Sequence, residues 1–464
     1  MDSGPLIPVN GQALREVQVD HPIELNRQLG PSYLTLPGQD SALREYLRVL
    51  IKRKWLVISC LAIIFGVVAL ATMNFDPESS PWNMLVFAFC IGLQLVTGRT
   101  AYRYETFSSA LLYCAYGILC FLVVQVLRRT AQIQALVATF SVYGFLLASF
   151  ALVQGLSSTT RLYWLRTPRF GGWIYGPYVN HNHYAGLMEM LVPIPLVFSL
   201  TRGARGSRKT MAGIAAALMA GTIFLSGSRG GMVAFLVQAG VLALAVLRGQ
   251  RSRTVTRALL PFLLIGVGLV LWLGGNELAQ RLETIHTETQ AELSGGLRLE
   301  IDRDALRMFA RKPILGWGMG VFPDVYPQFR SFHTNFFINE AHNDYLQLLV
   351  EMGGMGFATM LWFLWLLFRN AGRKLQHWPE DTNGAVGLAA MLGVTGILVH
   401  SLVDFNLQIP ANAALFYVLC VVAAMESRFG KTRRKSVRRV SQVEQTPGPD
   451  YSGPERREGL REPI

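Results

Sequence analysis

Arg229 stands alone in the turn Leu225-Ser226-Gly227-Ser228-Arg229-Gly230-Gly231, between two apolar stretches and among residues too small to cover it. A guanidinium presents a planar fork of donors that suits phosphate oxygens, and flanking glycines let a diphosphate come close to the backbone. An interfacial arginine snorkelling to lipid headgroups is the plainer reading. Arg298 lies in a second candidate region, 296–309, where Leu297, Ile301, Ala305 and Met308 recur at helical spacing. An amphipathic helix lying on the membrane is expected there, with Arg298 and Asp302 as a possible solvated pair. Lys312-Pro313-Ile314-Leu315-Gly316-Trp317-Gly318-Met319-Gly320 follows, in which proline ends the helix and three glycines read as a tight, exposed backbone path. No strand or βαβ pattern surrounds these glycines, which excludes a dinucleotide fingerprint. His342, in Glu340-Ala341-His342-Asn343-Asp344-Tyr345, leads straight into an apolar helix. Its imidazole can take a proton near neutral pH, although a capping or hydrogen-bonded histidine would look the same.

A second histidine cluster, Asn180-His181-Asn182-His183, precedes another apolar stretch. It has no cysteine or carboxylate at metal-ligand spacing nearby, so neither zinc nor any other metal or cofactor is expected. Glu189 and Glu351 lie inside apolar helices, and His400 and Asp404, four residues apart, share a helix face. Ionisable groups at membrane depth are functional candidates, with structural pairing as the alternative.

The elements that must position these groups are membrane helices. Of 464 residues, 51% are hydrophobic and 16% charged, yet the net charge is +13. Apolar segments fall at 55–73, 81–98, 108–127, 131–154, 184–201, 210–226, 230–247, 258–275, 345–368, 384–402 and 409–426. Each approaches the roughly 20 residues that span hydrocarbon, giving an all-α polytopic bundle of about 11–12 spans. The five cysteines all lie in these segments, without disulfide or zinc spacing. No cleavable signal peptide is read in the polar first forty residues.

Lys and Arg cluster at 202–209, 248–257, 369–374 and 428–439. The positive-inside bias puts these in the cytoplasm, and so puts 155–183, the Arg229 turn, the long loop 276–344 and Asp404 on the periplasmic face. Arg44, Arg48 and Lys52 to Lys54 place the N-terminus inside as well. Two cytoplasmic ends need an even number of spans, so either one weak span is missed or a segment such as 81–98 is re-entrant. Residues 1–42 and 427–464 read as disordered cytoplasmic tails, the second basic enough to touch anionic lipid. The basic excess follows topology, and no nucleic acid partner is expected.

In this order the motifs resemble the O-antigen ligase-related superfamily. They are Asn180-His-Asn-His-Tyr-Ala-Gly, Ser226-Gly-Ser-Arg-Gly-Gly, Arg298 with Pro313-Ile-Leu-Gly-Trp-Gly, His342-Asn-Asp-Tyr-Leu-Gln-Leu and Glu351-Met-Gly. The resemblance spans about 80–426, so 81–426 is the expected membrane domain. His400-Ser-Leu-Val-Asp404-Phe-Asn looks like a branch of that superfamily found with exopolysaccharide systems. Residues 43–80 are similar to the first membrane helix of polysaccharide chain-length determinant proteins, without their large periplasmic domain.

The resemblance implies a glycosyltransferase-C-like fold in the inner membrane. It implies metal-independent, inverting transfer of a glycan from an undecaprenyl-diphosphate carrier to an acceptor hydroxyl at the periplasmic face. Arg229, Arg298 and His342 would be the catalytic set, and Asn180, His181, His183, Asn343 and Arg307 would help bind substrate. The acceptor would be lipid A core (a ligase), another lipid-linked repeat (a polymerase) or a protein, and other polysaccharide assembly proteins are possible partners. The His400 segment and the chain-length-like start tilt toward exopolysaccharide polymerisation. A lipid-linked glycan transporter or flippase should show repeated halves, which are not seen. A non-catalytic chain-length regulator would make Arg229 and His342 dispensable.

Overall fold

In the computed structural model the chain divides into two units, Met1–Ile63 and Ile64–Ile464. The structure describes 82–127, 129–157, 161–168, 173–201, 206–249, 295–334, 337–375, 378 and 380–425. The chain-length-like helix at 43–80, the segment at 258–275 and both tails lie outside the described residues.

The described helices are α1 Trp82–Val96, α2 Arg103–Val126, α3 Thr130–Leu156, α4 His181–Leu191, α5 Pro193–Leu200, α6 Ser207–Leu225 and α7 Arg229–Gly249. They continue with α8 Gly295–Arg311, α9 Phe322–Val325, α10 Asp344–Lys374, α11 Thr382–His400 and α12 Pro410–Ala424. No β-strand occurs among the described residues, only two isolated bridges. Among the described residues, seven spans are long and apolar enough to cross a membrane, with α4 and α5 counting as one, and α1 and α12 are shorter apolar helices. The protein is an all-α polytopic membrane protein. Leu122, Val142, Leu146, Val153, Met211, Ile214, Val233, Leu361 and Trp365 are exposed. Apolar side chains turned outward along such helices suit a lipid surround.

Helix α11 is the hub, packed by α4, α5, α7 and α12. Gly393 and Gly396 make the approach possible: a Cβ on Gly393 would lie 2.8 Å from the Met190 carbonyl oxygen, and one on Gly396 would lie 2.1 Å from Gln238 Nε2. Small residues let membrane helices close up, since hydrophobic driving force between helices is weak there.

The helices alternate in direction. The starts of α2, α4, α7, α10 and α12 and the ends of α1, α3, α6 and α11 gather at one end of the bundle. Arg208, Lys209, Arg369 and Arg373 sit at the other. The start of α1 and the end of α12 are therefore on the side of Arg208, Lys209, Arg369 and Arg373.

Helix α10 is broken at Gly353 (φ 64°, ψ −171°). Such a break leaves backbone groups without helical partners, costly at membrane depth. The Pro313–Gly318 segment supplies them: Trp317 and Gly318 N–H donate to the Val350 and Glu351 carbonyls at 3.0 Å each. In return, Gly354 and Met355 N–H donate to the Pro313 and Ile314 carbonyls at 2.7 and 3.2 Å. The glycine path is thus pinned rather than exposed; Gly316 and Gly318 are buried. A Cβ on Gly316 would stand 2.4 Å from the Glu351 carbonyl oxygen, and on Gly318 2.1 Å from Thr100 Oγ1.

The apolar stripe of α8 is also spent differently from the surface-lying helix expected. Ile301, Ala305 and Met308 are fully buried against Val321, Phe322, Val325, Tyr326, Ile338, Ala341 and Val350. A small core inside the loop, not lipid, covers that face.

Candidate active site

At the gathered end, two connections fold over the helix termini. The chain around His342 is fixed on both sides. Ala341 N–H donates to Gln347 Oε1 at 3.0 Å, and Asn343 Oδ1 caps α10 by accepting from Tyr345 and Leu346 N–H at 3.1 and 3.2 Å. Between these anchors His342 takes a left-handed backbone (φ 55°). A side chain larger than glycine rarely adopts it, and such strain persists where the surroundings over-determine it. Asp344 then ties down the second connection. Its carboxylate accepts from Leu407 N–H at 3.0 Å and Gln408 Nε2 at 3.3 Å, and its N–H donates to the Ser401 carbonyl at 3.0 Å.

This brings Asp404 to His342, with Nδ1 and Oδ1 3.9 Å apart. The Phe405 ring is shared by His342 and His183, with centroids at 4.8 and 4.6 Å. Arg298, at the start of α8, donates through Nη1 to the Val403 carbonyl at 2.9 Å. Burial alone would raise the Asp404 carboxyl, but the field of Arg298, aided by His342, His183 and His400, holds it below its ordinary range. Burial pushes the His342 imidazole down to about 4, against the pull of Asp404, with Arg298 and His183 adding to the drop. An anionic carboxylate thus faces a neutral imidazole, with a guanidinium beside them. Such a group can accept a proton and hold an anion.

Ser228 joins this end from beneath. It precedes α7, its Oγ accepts from Gly231 N–H at 3.2 Å and lies 3.5 Å from His400 Nε2, and His400 Nδ1 is 2.8 Å from Glu189 Oε1. Arg229, the first residue of α7, is exposed. The neighbouring glycines serve helix contact: a Cβ on Gly230 would meet His400 Cδ2 at 2.5 Å, and on Gly231 Ala185 Cβ at 2.8 Å.

Arg298, His342, His183, His400 and Asp404 therefore converge, and Arg229 and Glu189 are tied in through α7 and His400. Asn180 caps α4 by accepting from Asn182 N–H at 2.9 Å, and its amide lies 3.3 Å from His183 Nε2. His181 is buried beside Trp173, with ring centroids at 4.7 Å. Arg307 is elsewhere, three residues past buried Asp304 and bonded to it at 2.7 Å. Glu351 also serves structure, accepting from Gly320 and Phe322 N–H at 2.9 and 3.3 Å.

Sequence reasoning missed Asn406, Asn412 and Gln238. Asn406 Oδ1 lies 3.4 Å from His183 Nδ1 and accepts from Asn412 Nδ2 at 3.3 Å. Gln238 Nε2 donates at 2.8 Å to both the Glu189 and Leu392 carbonyls. Pro193 has no N–H to offer the carbonyl four residues before it, which is that of Glu189, and Gln238 fills the vacancy. The signal was present as an amide in an apolar helix facing another helix with proline.

An arginine-bearing turn between paired helices, a long loop carrying a second arginine, and a histidine opening the next helix have now been placed in one bundle. Residues 214–361 match the O-antigen ligase family. Over that stretch the chain is similar to the O-antigen ligases. The matched stretch contains Arg229, Arg298 and His342, whereas His183, Glu189, His400 and Asp404 reach the site from outside it. No curated protein matches the chain.

Proposed function

We propose that this protein transfers a glycan from an undecaprenyl-diphosphate carrier to an acceptor hydroxyl, at the periplasmic face of the inner membrane. The observation that carries the reading is the meeting of Arg298, His342 and Asp404 at the bundle end opposite Arg208, Lys209, Arg369 and Arg373. Lys and Arg favour the cytoplasmic side, which supports a periplasmic mouth.

His342 takes the proton from the acceptor hydroxyl as that oxygen bonds to the anomeric carbon. The bond from the anomeric carbon to the diphosphate oxygen breaks, its electron pair leaves with the diphosphate, and configuration inverts. Arg229 and Arg298 hold the leaving diphosphate by charge-assisted hydrogen bonds and offset the charge that grows on it. Asp404 orients the imidazole and stabilises the imidazolium that forms, a role like that of the carboxylate in hydrolase triads.

Reconstitution tests this reading directly. The purified protein is given an undecaprenyl-diphosphate-linked glycan with lipid A core, a second lipid-linked repeat, or a protein as acceptor. Extension of one acceptor, lost in His342→Ala and Arg298→Ala, is the expected result. Vectorial movement of the donor without any extended product would overturn it.

A further inference from the structure

Glu189 and His400 lie too deep to touch a substrate, at 0% and 1% exposure. They form the inner end of a chain that reaches the surface. Glu189 Oε1 and His400 Nδ1 are hydrogen-bonded at 2.8 Å. Ser228 Oγ lies 3.5 Å from His400 Nε2, at the limit of hydrogen-bonding reach, and itself caps the first turn of α7 through Gly231 N–H. Arg229 is the next residue. The His400 ring also fills the space where Gly230 would carry a Cβ, and Glu189 Oε1 is 3.0 Å from that position on Gly231. Carboxylate, imidazole and hydroxyl together seat the first turn of α7.

We propose that Glu189, His400 and Ser228 are a positioning unit for Arg229, setting where its guanidinium meets the diphosphate of the donor. This rests on the reading of Arg229 as a diphosphate ligand. Glu189 comes from α4, His400 from the end of α11 and Ser228 from the turn before α7, so three helices must be in register for Arg229 to be placed. Gln238 fixes that register from below, bridging the backbones of α4 and α11 at the level of Glu189.

The test is a double-mutant cycle on undecaprenyl diphosphate binding by the full chain in nanodiscs. Ser228→Ala and His400→Ala should each weaken binding about tenfold, the scale of losing one buried hydrogen-bonded partner, while Ser228→Thr restores most of it. In an Arg229→Ala background the same two substitutions should change nothing further, because they act through Arg229. Equal losses in both backgrounds would mark the unit as general scaffolding and overturn the proposal, as would unchanged binding in Ser228→Ala and His400→Ala. If His400→Ala fails to fold, Ser228→Ala, which removes only a hydroxyl, decides alone. Unchanged binding in Arg229→Ala itself would overturn the underlying ligand assignment, and this proposal with it.

Discussion

His342 Nδ1 stands 3.9 Å from Asp404 Oδ1, across the gap between the start of α10 and the loop that follows α11. That spacing is a little long for a hydrogen bond and short for two unrelated groups. Catalytic contacts often tighten only when substrate fills the site. Asp404→Asn keeps the shape and removes the charge that would stabilise an imidazolium. Turnover in the reconstituted assay should fall about 100-fold or more, with donor binding little changed. A fall in binding with normal turnover of bound donor would mean that Asp404 serves the arginines instead.

Acid should also inactivate late. The free histidine value is 6.5, and His342 is pushed down to about 4 chiefly by burial. The imidazole is therefore already deprotonated at pH 5, and on the proposed mechanism the acid limb of kcat/KM is expected close to pH 4. His342 also binds fewer protons in the folded than in the unfolded protein across that window. Its contribution to stability is full above 6.5 and is lost as pH falls toward 4. A limb at the ordinary histidine value, in a profile measured from pH 3.5 to 8, would count against His342 as the base.

Glu340 works in the opposite sense. Burial, with Glu351 and Asp344 nearby, raises its carboxyl to about 8 from an ordinary 4.5, although Gln347 donates to it. The folded protein holds a proton there that the unfolded chain releases. Stability from this group is present below 4.5 and declines as pH rises through 8. In Glu340→Gln the Tm should fall less between pH 5 and 8 than in the parent protein. Parallel Tm curves would show that Glu340 is ionised in the fold.

Much of this architecture was legible because lipid leaves few options. Charge-free stretches at 131–154 and 384–402 meet α3 Thr130–Leu156 and α11 Thr382–His400. His342 could be singled out because the chain has only 8 histidines, and Arg229 because it stands alone between two apolar stretches. Pairings were less readable: nothing in the sequence says that Asp404 turns to His342, 62 positions earlier. Local pattern also misled where a tertiary partner took over. The stripe of α8 suited a membrane surface, but Phe322 and Tyr326 were there to cover it. The glycines at 316 and 318 suited an exposed backbone path, but the broken helix at Gly353 had unmet backbone groups.

That break gives a stability prediction. Gly353 has φ 64°, and a Cβ there would lie 2.3 Å from the Ile314 carbonyl oxygen. With ψ −171° this is backbone that essentially only glycine adopts, and it costs an alanine about 1–3 kcal/mol before any clash. Here the obstruction is backbone that is itself bonded to α10. Gly353→Ala should therefore lower stability by more than about 2 kcal/mol, read as a marked drop in Tm. A neutral result would mean that α10 can straighten without the Pro313–Gly318 segment.

Asp304 and Arg307 separate support from chemistry within α8. Asp304 is fully buried and accepts from Arg307, from Tyr326 Oη at 3.3 Å, and from Ser331 N–H and Oγ at 2.9 and 3.1 Å. The Arg307 side chain is 60% exposed and lies nine residues, about 13 Å, along the helix from Arg298. Asp304→Ala strands several donors at once and should cost about 1–3 kcal/mol in unfolding experiments. Arg307→Ala removes a largely solvated partner and should cost no more than about 1 kcal/mol. Its effect on donor KM is the more telling measurement. Little change is expected, whereas Arg298→Ala should raise KM or abolish transfer. A large KM effect from Arg307→Ala would return it to the substrate-binding set and extend the donor site along α8.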